Sequence, residues 1–459
     1  MQTNFTAEKL RSPDIVDAQA ILTDCVHYGF CTAVCPTYVL LHDELDAPRG
    51  RIDLIHEMLE SDDPPSARTV GYIDRCLSCN SCMSTCAAKV DYMHLADIAR
   101  AHIEKNYRRP VFDRLFRKFI AKTVPNFRLF RLSVRLACIC KPFANFLPER
   151  LRNLLKLSPE FLPPANAAVS AGVYPAKKNR NHRVILLTGC VQQALAPHIN
   201  HATINLLTRH GCEVIVDQAM SCCGAFTLHM GMDTTAKSNA NKLIFSWAQV
   251  IERAKADGTP IDAIIVNASG CGTTIKDYDR IFTHDPKTAK LAEQISSLTM
   301  DITEFISKTG LRTTNTAIPL DITYHDACSL QHAQKVTKEP RDLLKACGFI
   351  VHDVPEAHFC CGSAGAYNML EPVIAAQLGA RKVEHVESTN GKVLVAGNLG
   401  CLNQMGLYTN LPTLHTVEML DWATGGPCPQ LLKDMKIPQT ASLTDKPPNN
   451  LTSGGIGIW

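Results

Sequence analysis

Between residues 18 and 107 apolar positions come in short bursts, with Arg51-Ile52-Asp53-Leu54-Ile55-His56-Glu57-Met58-Leu59 as the clearest amphipathic piece. The pattern predicts short helices around loops. From Lys105 to Lys156 Phe and Leu recur at helical spacing among Arg108, Arg109, Arg114, Arg117, Lys118, Lys122, Arg128, Arg131 and Arg135, opposed within the stretch only by Asp113 and Glu149. Residues 158–182, rich in Pro, Ala, Asn and Lys, read as a linker. Beyond it the period changes. Apolar runs at Val184–Leu187, Val214–Val216 and Ala263–Val266 alternate with helical stretches, and the scheme restarts at Ile322–Tyr324, Phe349–Val351 and Val393–Val395, with a helix near Leu343-Leu344. This is the signature of parallel strands in α/β units.

The expected architecture is α+β. A mostly helical module spans 15–107, a basic helical connector and linker 108–182, and two similar α/β lobes 183–300 and 320–424. A tail from 425 to 459, without periodicity, is expected to be disordered.

At 459 residues, 46% hydrophobic and 20% charged, the chain can bury a sizeable core, and a formal charge of +3 gives no reason to expect a nucleic-acid partner. The basic stretch carries two readings: its Phe and Leu side chains enter the core beneath a solvated face, or the whole surface lies on an anionic membrane or an acidic partner. No run of eighteen apolar residues predicts a membrane span. The N-terminal residues show no apolar signal region, which points to a reducing, cytoplasmic setting with peripheral contact at the inner face of the membrane left open.

The 20 cysteines change the picture through their spacing. Cys76, Cys79, Cys82 and Cys86 form C-x2-C-x2-C-x3-C, the run in which three thiolates hold one cubane cluster and the fourth reaches a second. Zinc usually takes two CxxC pairs split by a longer loop. Ala87 stands where a proline usually follows the fourth cysteine. Upstream, Cys25, Cys31 and Cys35-Pro36 fit the same ruler, but Tyr28 stands where a second cysteine belongs. A crossed arrangement gives Cys76, Cys79, Cys82 and Cys35 to one ferredoxin-type [4Fe–4S] cluster and leaves Cys25, Cys31 and Cys86 for the other. That three-thiolate site has three outcomes: a [3Fe–4S] cluster, a [4Fe–4S] cluster with water, hydroxide or the Tyr28 phenolate on the odd iron, or no stable cluster. Its potential or lability should differ from an all-cysteine site. His27 is read as a donor beside the cluster rather than a ligand.

Cys190 is followed after 31 residues by Cys222-Cys223-Gly224, and Cys328 after the same 31 by Cys360-Cys361-Gly362; Cys271 and Cys401 each follow a glycine near a strand end. The repeat predicts two lobes related by a pseudo-twofold, with these eight cysteines at a cofactor cleft between them. The alternative is that they are buried apolar thiols. Cys138, Cys140, Cys212, Cys347 and Cys428 belong to no repeat and are expected to pack or be incidental.

Two ferredoxin-like motifs followed by two cysteine-rich CCG domains resemble the iron–sulfur subunit of bacterial glycolate oxidase (glycolate dehydrogenase). The likeness is carried by Cys25-Val26-His27, Gly29-Phe30-Cys31-Thr32-Ala33, Asp43-Glu44-Leu45-Asp46, Pro48-Arg49-Gly50-Arg51, Leu330-Gln331-His332-Ala333-Gln334 and Cys360-Cys361-Gly362-Ser363-Ala364-Gly365, and extends to about residue 420. The resemblance implies flavin-bearing partner subunits that oxidise glycolate to glyoxylate and pass electrons through this subunit to a quinone-linked acceptor. Consistent with that division of labour, no dinucleotide fingerprint or phosphate loop occurs in the chain. Lactate-utilisation proteins, the anchor subunit of anaerobic glycerol-3-phosphate dehydrogenase and heterodisulfide reductase subunits share the architecture, so lactate or glycerol 3-phosphate complexes and a catalytic disulfide-reducing role are the alternatives. The last family's CCG domains hold noncubane clusters on a motif with one more cysteine. Thr274 and Gln404 occupy those places here.

Overall fold

The computed structural model describes residues 1–146, 149–159, 162–218, 221–313, 316–435 and 441–442. Helix makes up 56% of the chain and strand 9%, and the strands are gathered into the C-terminal two-thirds, so the α+β expectation holds.

The N-terminal module is built from helices Pro13–Asp24, Phe30–Ala33, Pro36–Leu41, Pro48–Glu60, Ala67–Asp74, Ser81–Thr85 and Tyr92–Asn106. Proline opens the first, third and fourth, where its missing N–H costs nothing, and the Asp91 and Ser66 side chains accept from exposed N–H groups at two other starts. Pro36 therefore fixes where the chain leaves Cys35. Ile21, Leu22, Ile52, Ile55, Leu59, Ile73, Leu95 and Ile103 form the core, with Cys25, Cys76 and Cys82 at its edge.

The strands are β1 (Gly172–Tyr174), β2 (His182–Leu187), β3 (Cys212–Val216), β4 (Ala263–Val266), β5 (Thr299–Asp301), β6 (Thr316–Ala317), β7 (Asp321–His325), β8 (Ile350–Asp353), β9 (Val393–Ala396), β10 (Thr413–His415) and β11 (Ala441–Ser442). The first lobe has the order β1-β3-β2-β4-β5 and the second β10-β9-β7-β8. Apart from the antiparallel β1, all pairings in both are parallel, and β3-β2-β4-β5 repeats as β8-β7-β9-β10. The internal repeat is thus a repeat of topology.

Alternation along the strands sorts the side chains. Val184, Leu186, Ile322, Tyr324, Val393 and Val395 enter one core shared by both lobes, while Ile185, Leu187 and Ile264 face a separate cluster around Trp247. Cys212 and Cys347 are packing residues of the shared core.

Three expectations are corrected. The linker contains Val169, buried in the shared core, and β1, which extends the first sheet, because an alternating Gly-Val-Tyr segment can satisfy the free edge of β3. The tail does not begin at 425: Gln430–Leu432 form a short 3-10 turn, Leu432 is 0% exposed in the shared core, and β11 pairs with β6. The rest of that expectation, 436–440 and 443–459, lies outside the described residues. In the basic connector, helices Val111–Thr123 and Phe127–Cys140 bury Phe116, Ile120 and Val134, but Phe112, Leu115, Phe119, Leu132, Leu136 and Ile139 are exposed, so the core absorbs only part of this stretch. Its buried Arg109 and Arg117 pair with Asp74 at 2.6 and 3.0 Å, a partner outside the stretch. Among the described residues no helix is long and apolar enough to cross a membrane.

Candidate functional site

Two adjoining cavities in the N-terminal module are lined by sulfur. One is bounded by Cys25, Cys31, Cys82 and Cys86 together with Tyr28, and the other by Cys35, Cys76, Cys79 and Cys82. Cys82 stands in the wall between them, with Cys25, Cys31 and Cys86 on one side and Cys35, Cys76 and Cys79 on the other. Tyr28 is 65% exposed at the rim of the first, beside the exposed Phe30. His27 stands 3.9 Å from Cys25 Sγ through Nδ1 and 3.1 Å from Asp53 Oδ1 through Nε2, which places it beside the thiols.

Buried cations serve the second cavity. Arg51, 1% exposed, binds Asp46 Oδ1 and Thr37 Oγ1 at 3.1 Å each, donates to the Tyr72 carbonyl at 2.8 Å and reaches Cys35 Sγ at 3.8 Å. Arg100 donates to the Cys76 carbonyl at 2.7 Å, and the Tyr92 hydroxyl to Cys76 Sγ at 3.7 Å. Burial raises the Cys76 pKa, but Arg51 and Arg100 outweigh it and hold the thiol below its ordinary value. Cys31 and Cys82 go the other way. Burial, then Cys25 and Cys86, push Cys31 up; burial, then Cys79, Cys76, Cys35 and Cys31, push Cys82 far up. Several like charges in one enclosed space are what metal ions neutralise, so the donor set fits iron–sulfur ligation.

Each lobe carries its cysteines at the carboxyl ends of three neighbouring strands, where the strand order reverses and ligands commonly bind. Cys190 follows β2, Cys222-Cys223 follow β3 and Cys271 follows β4; Cys328, Cys360-Cys361 and Cys401 follow β7, β8 and β9. Gly224 and Gly362 have φ of +91° and +87°, and a Cβ there would stand 2.8 and 2.5 Å from the Ala236 and Ala375 carbonyl oxygens, so both turns need glycine.

The thiols of each lobe lie next to one another in a row. Cys190, Cys222, Cys223 and Cys271 are one row; Cys328, Cys360, Cys361 and Cys401 the other, with Cys328 and Cys360 sulfurs 3.8 Å apart. Each row is built by its own lobe. The lobes meet beside the rows through Ser269, two residues before Cys271, whose hydroxyl lies 2.7 Å from that of Ser329, one residue after Cys328, and accepts from Asn398 at 2.8 Å. Thr274 Oγ1 bonds the Gly270 carbonyl, and Gln404 bridges the Ala375 carbonyl and Asn368. Cys138 is partly buried and Cys140 exposed, neither belonging to a row, and Cys428 packs against the shared core.

The module seats on both lobes. His94 bridges Asp91 at 2.6 Å and Asp277 of the first lobe at 2.9 Å, and the carboxylates raise its pKa to about 10 against the opposing effect of burial. Burial pushes Asp277 up although His94 pulls it down. On the other side Ser84 bonds His332 at 3.0 Å and the Tyr367 hydroxyl donates to the Arg75 carbonyl at 3.1 Å. Cys79 packs in one apolar cluster with Cys360 and Cys328, and burial, then Cys328, push its thiol far up. Sequence reasoning passed over Arg51, Arg100 and the buried His325 and Lys382. Only His325, three residues before a repeat cysteine, left a readable signal.

A 4Fe–4S dicluster domain matches residues 21–90, and a cysteine-rich domain matches twice, at 184–276 and 322–406. The glycolate oxidase iron–sulfur subunit of Escherichia coli (strain K12) is 36% identical over 92% of this chain and 99% of that protein. The probable glycolate oxidase iron–sulfur subunit of Bacillus subtilis (strain 168) is 28% identical over 88% and 94%. Lactate utilization protein A of the same strain is 28% identical over 52% of this chain and 99% of that protein. With its tandem thiol cavities and duplicated cysteine-rich lobes, the chain belongs to the family of glycolate oxidase iron–sulfur subunits.

Proposed function

We propose that the chain is the electron-transfer subunit of a glycolate dehydrogenase complex and works without catalysing the oxidation itself. Cys76, Cys79, Cys82 and Cys35 are assigned to one [4Fe–4S] cluster, and Cys25, Cys31 and Cys86 to a second whose odd position lies toward Tyr28. Such clusters take up and release one electron at a time, so glycolate oxidation to glyoxylate, with loss of two electrons and two protons, belongs on flavin-bearing partner subunits. The observation that carries the reading is the continuity of sulfur: Cys25, Cys31 and Cys86 share a wall with Cys82, which belongs with Cys35, Cys76 and Cys79, and Cys79 packs on Cys328 and Cys360.

The protein's own contribution is enclosure and charge. Leu77, Tyr92 and Pro48 line the cavities and keep water from the thiols, while Arg51 and Arg100 offset the negative charge added on reduction. The first cavity opens toward Tyr28 and Phe30 at the surface, which suits entry from the flavin partner.

The exposed Phe112, Leu115, Leu132, Leu136 and Ile139, set among Arg114, Lys118, Lys122, Arg128 and Arg135, suit contact with an anionic lipid surface on the cytoplasmic side, where a quinone-linked acceptor would be met. Salt-dependent recovery from anionic vesicles tests that contact, and equal recovery from neutral vesicles would count against it.

The test of the relay is anaerobic mixing of this chain with the flavin subunits and glycolate while cluster absorbance is followed. Bleaching that depends on glycolate and on both partners is expected. Flavin reduction without bleaching, in protein loaded with iron and sulfide, would overturn the reading.

A further inference from the structure

The two lobes share a topology but differ where the cysteines gather. Position 187 in β2 corresponds to 325 in β7, each three residues before the first repeat cysteine. In the first lobe it is Leu187, packed among Cys223, Leu243 and Ile264. In the second it is His325, 1% exposed, pointing to the same side of its sheet, and neither ring nitrogen has a hydrogen-bond partner. Leaving two such nitrogens unsatisfied in the interior costs about 1–3 kcal/mol apiece, so the imidazole needs a partner other than the protein's polar groups.

The donors around it identify that partner. One His325 nitrogen and the Cys361 and Cys401 sulfurs lie within 4.8 Å of one another, all buried, and among the described residues no other set of three His, Cys, Asp or Glu donors is so compact. A tetrahedral ion bonded to sulfur at about 2.3 Å and nitrogen at about 2.0 Å holds such atoms roughly 3.5–3.8 Å apart, so a small closure would seat an ion on these three donors, with water in its fourth position. The ferredoxin-type cavities do not bring three sulfurs this close, as befits thiolates on separate corners of a cube. Neither does the row around Cys223. Two thiolates and a neutral imidazole around a divalent ion sum to zero charge, which suits full burial.

We propose that the second lobe, and not the first, holds a mononuclear divalent metal ion on His325, Cys361 and Cys401, with zinc the ion this nitrogen–sulfur set selects and ferrous iron its competitor. Assembly releases two thiol protons and involves no redox step. The site is independent of the clusters assigned above: Cys361 and Cys401 pack in a cluster of their own lobe, apart from the one that Cys360 shares with Cys79.

The test is elemental analysis of the full chain purified anaerobically, with acid-labile sulfide measured on the same sample. About one zinc per chain, or about one iron beyond the cluster iron that the sulfide and the paramagnetic signals together account for, is expected. His325→Ala should lose that ion while sulfide and the dithionite-reduced paramagnetic signals stay unchanged; His325→Cys should retain it, and Cys271→Ala in the first lobe should leave it in place. Absence of cluster iron with the ion still present would refute the relay alone. Should His325→Ala fail to fold, cobalt added to the metal-stripped wild type and to His325→Cys provides the second readout, a thiolate-to-cobalt band that shifts between the two. Wild-type protein with no such ion, retention of the ion by a folded His325→Ala, or cobalt spectra that coincide would overturn the proposal.

Discussion

Replacing Arg51 with glutamine removes the buried positive charge nearest the second thiol cavity while keeping a planar amide. The guanidinium lies 3.8 Å from Cys35 Sγ. At that distance and an effective dielectric of 20 the interaction with a full charge on the sulfur is about 4 kcal/mol. The electron added on reduction spreads over the cluster rather than sitting on one thiolate. Taking about 6 Å as its mean distance gives about 3 kcal/mol, or roughly 120 mV for a one-electron couple. Because Arg100 remains to offset part of the charge, a fall of about 100 mV is the expected result. Stability should suffer less than the loss of a buried ion pair suggests, because Asp46 keeps Arg75 at 2.8 and 3.0 Å; about 2 kcal/mol is expected, below the 3–5 of an uncompensated charge. Arg51→Lys keeps the charge and should move the potential by less than half as much. The assay is an anaerobic redox titration followed by electron paramagnetic resonance, on protein checked for iron, sulfide and a cooperative melt. An Arg51→Gln midpoint within about 20 mV of wild type, in protein with full cluster content, would refute the charge argument.

Other perturbations reach other parts of the account. Tyr28→Cys supplies the thiol missing from the first set and should convert a three-iron or labile signature into a stable four-iron one, read by paramagnetic resonance before and after dithionite; identical spectra would remove Tyr28 from the odd position. His94 has its folded-state pKa raised from 6.5 to about 10, so its stabilisation is complete below about pH 6.5 and is lost as pH rises through 10. His94→Gln should therefore cost on the order of 2–4 kcal/mol at pH 6.5 and far less at pH 10, measured as the difference between wild-type and variant denaturation curves; a pH-independent difference would discount the charged clamp to Asp91 and Asp277. Gly362→Ala puts a Cβ 2.5 Å from the Ala375 carbonyl at a φ of +87°, and a loss of about 2–4 kcal/mol is expected by the same method, whereas Gly258→Ala, with open space around it, should pay only for its φ.

Much of this was legible in the residues because periodicity and spacing are local. Val184–Leu187, Ala263–Val266 and Val393–Val395 announced their strands, and the two 31-residue intervals announced the repeated topology. Three of the edge strands escaped notice: Gly172–Tyr174, Thr299–Asp301 and Thr413–His415 are three residues each, too short to show a period, and exist because a neighbouring strand offers free hydrogen-bonding groups. Leu432 escaped for a similar reason, since of the pair Leu431-Leu432 after two prolines only the slot that receives one of them decides which becomes core. Cysteine spacing named the thiols but could not show which side chains tune them. Arg51 looked like one charge on an amphipathic helix, and only the fold turns it inward against Asp46 and Cys35. The duplication likewise suggested equivalent lobes, while the exchange of Leu187 for His325 makes them chemically different.

The central claim is that the two adjoining thiol cavities hold redox-active iron–sulfur clusters, and the most direct measurement is iron and sulfide quantification with electron paramagnetic resonance of the anaerobically purified chain, as isolated and after dithionite. The account predicts two clusters whose reduced signals are broadened by mutual coupling, because Cys82 stands in the wall between the cavities. Zinc in those cavities in place of iron, or iron without labile sulfide and without a reducible signal, would contradict it.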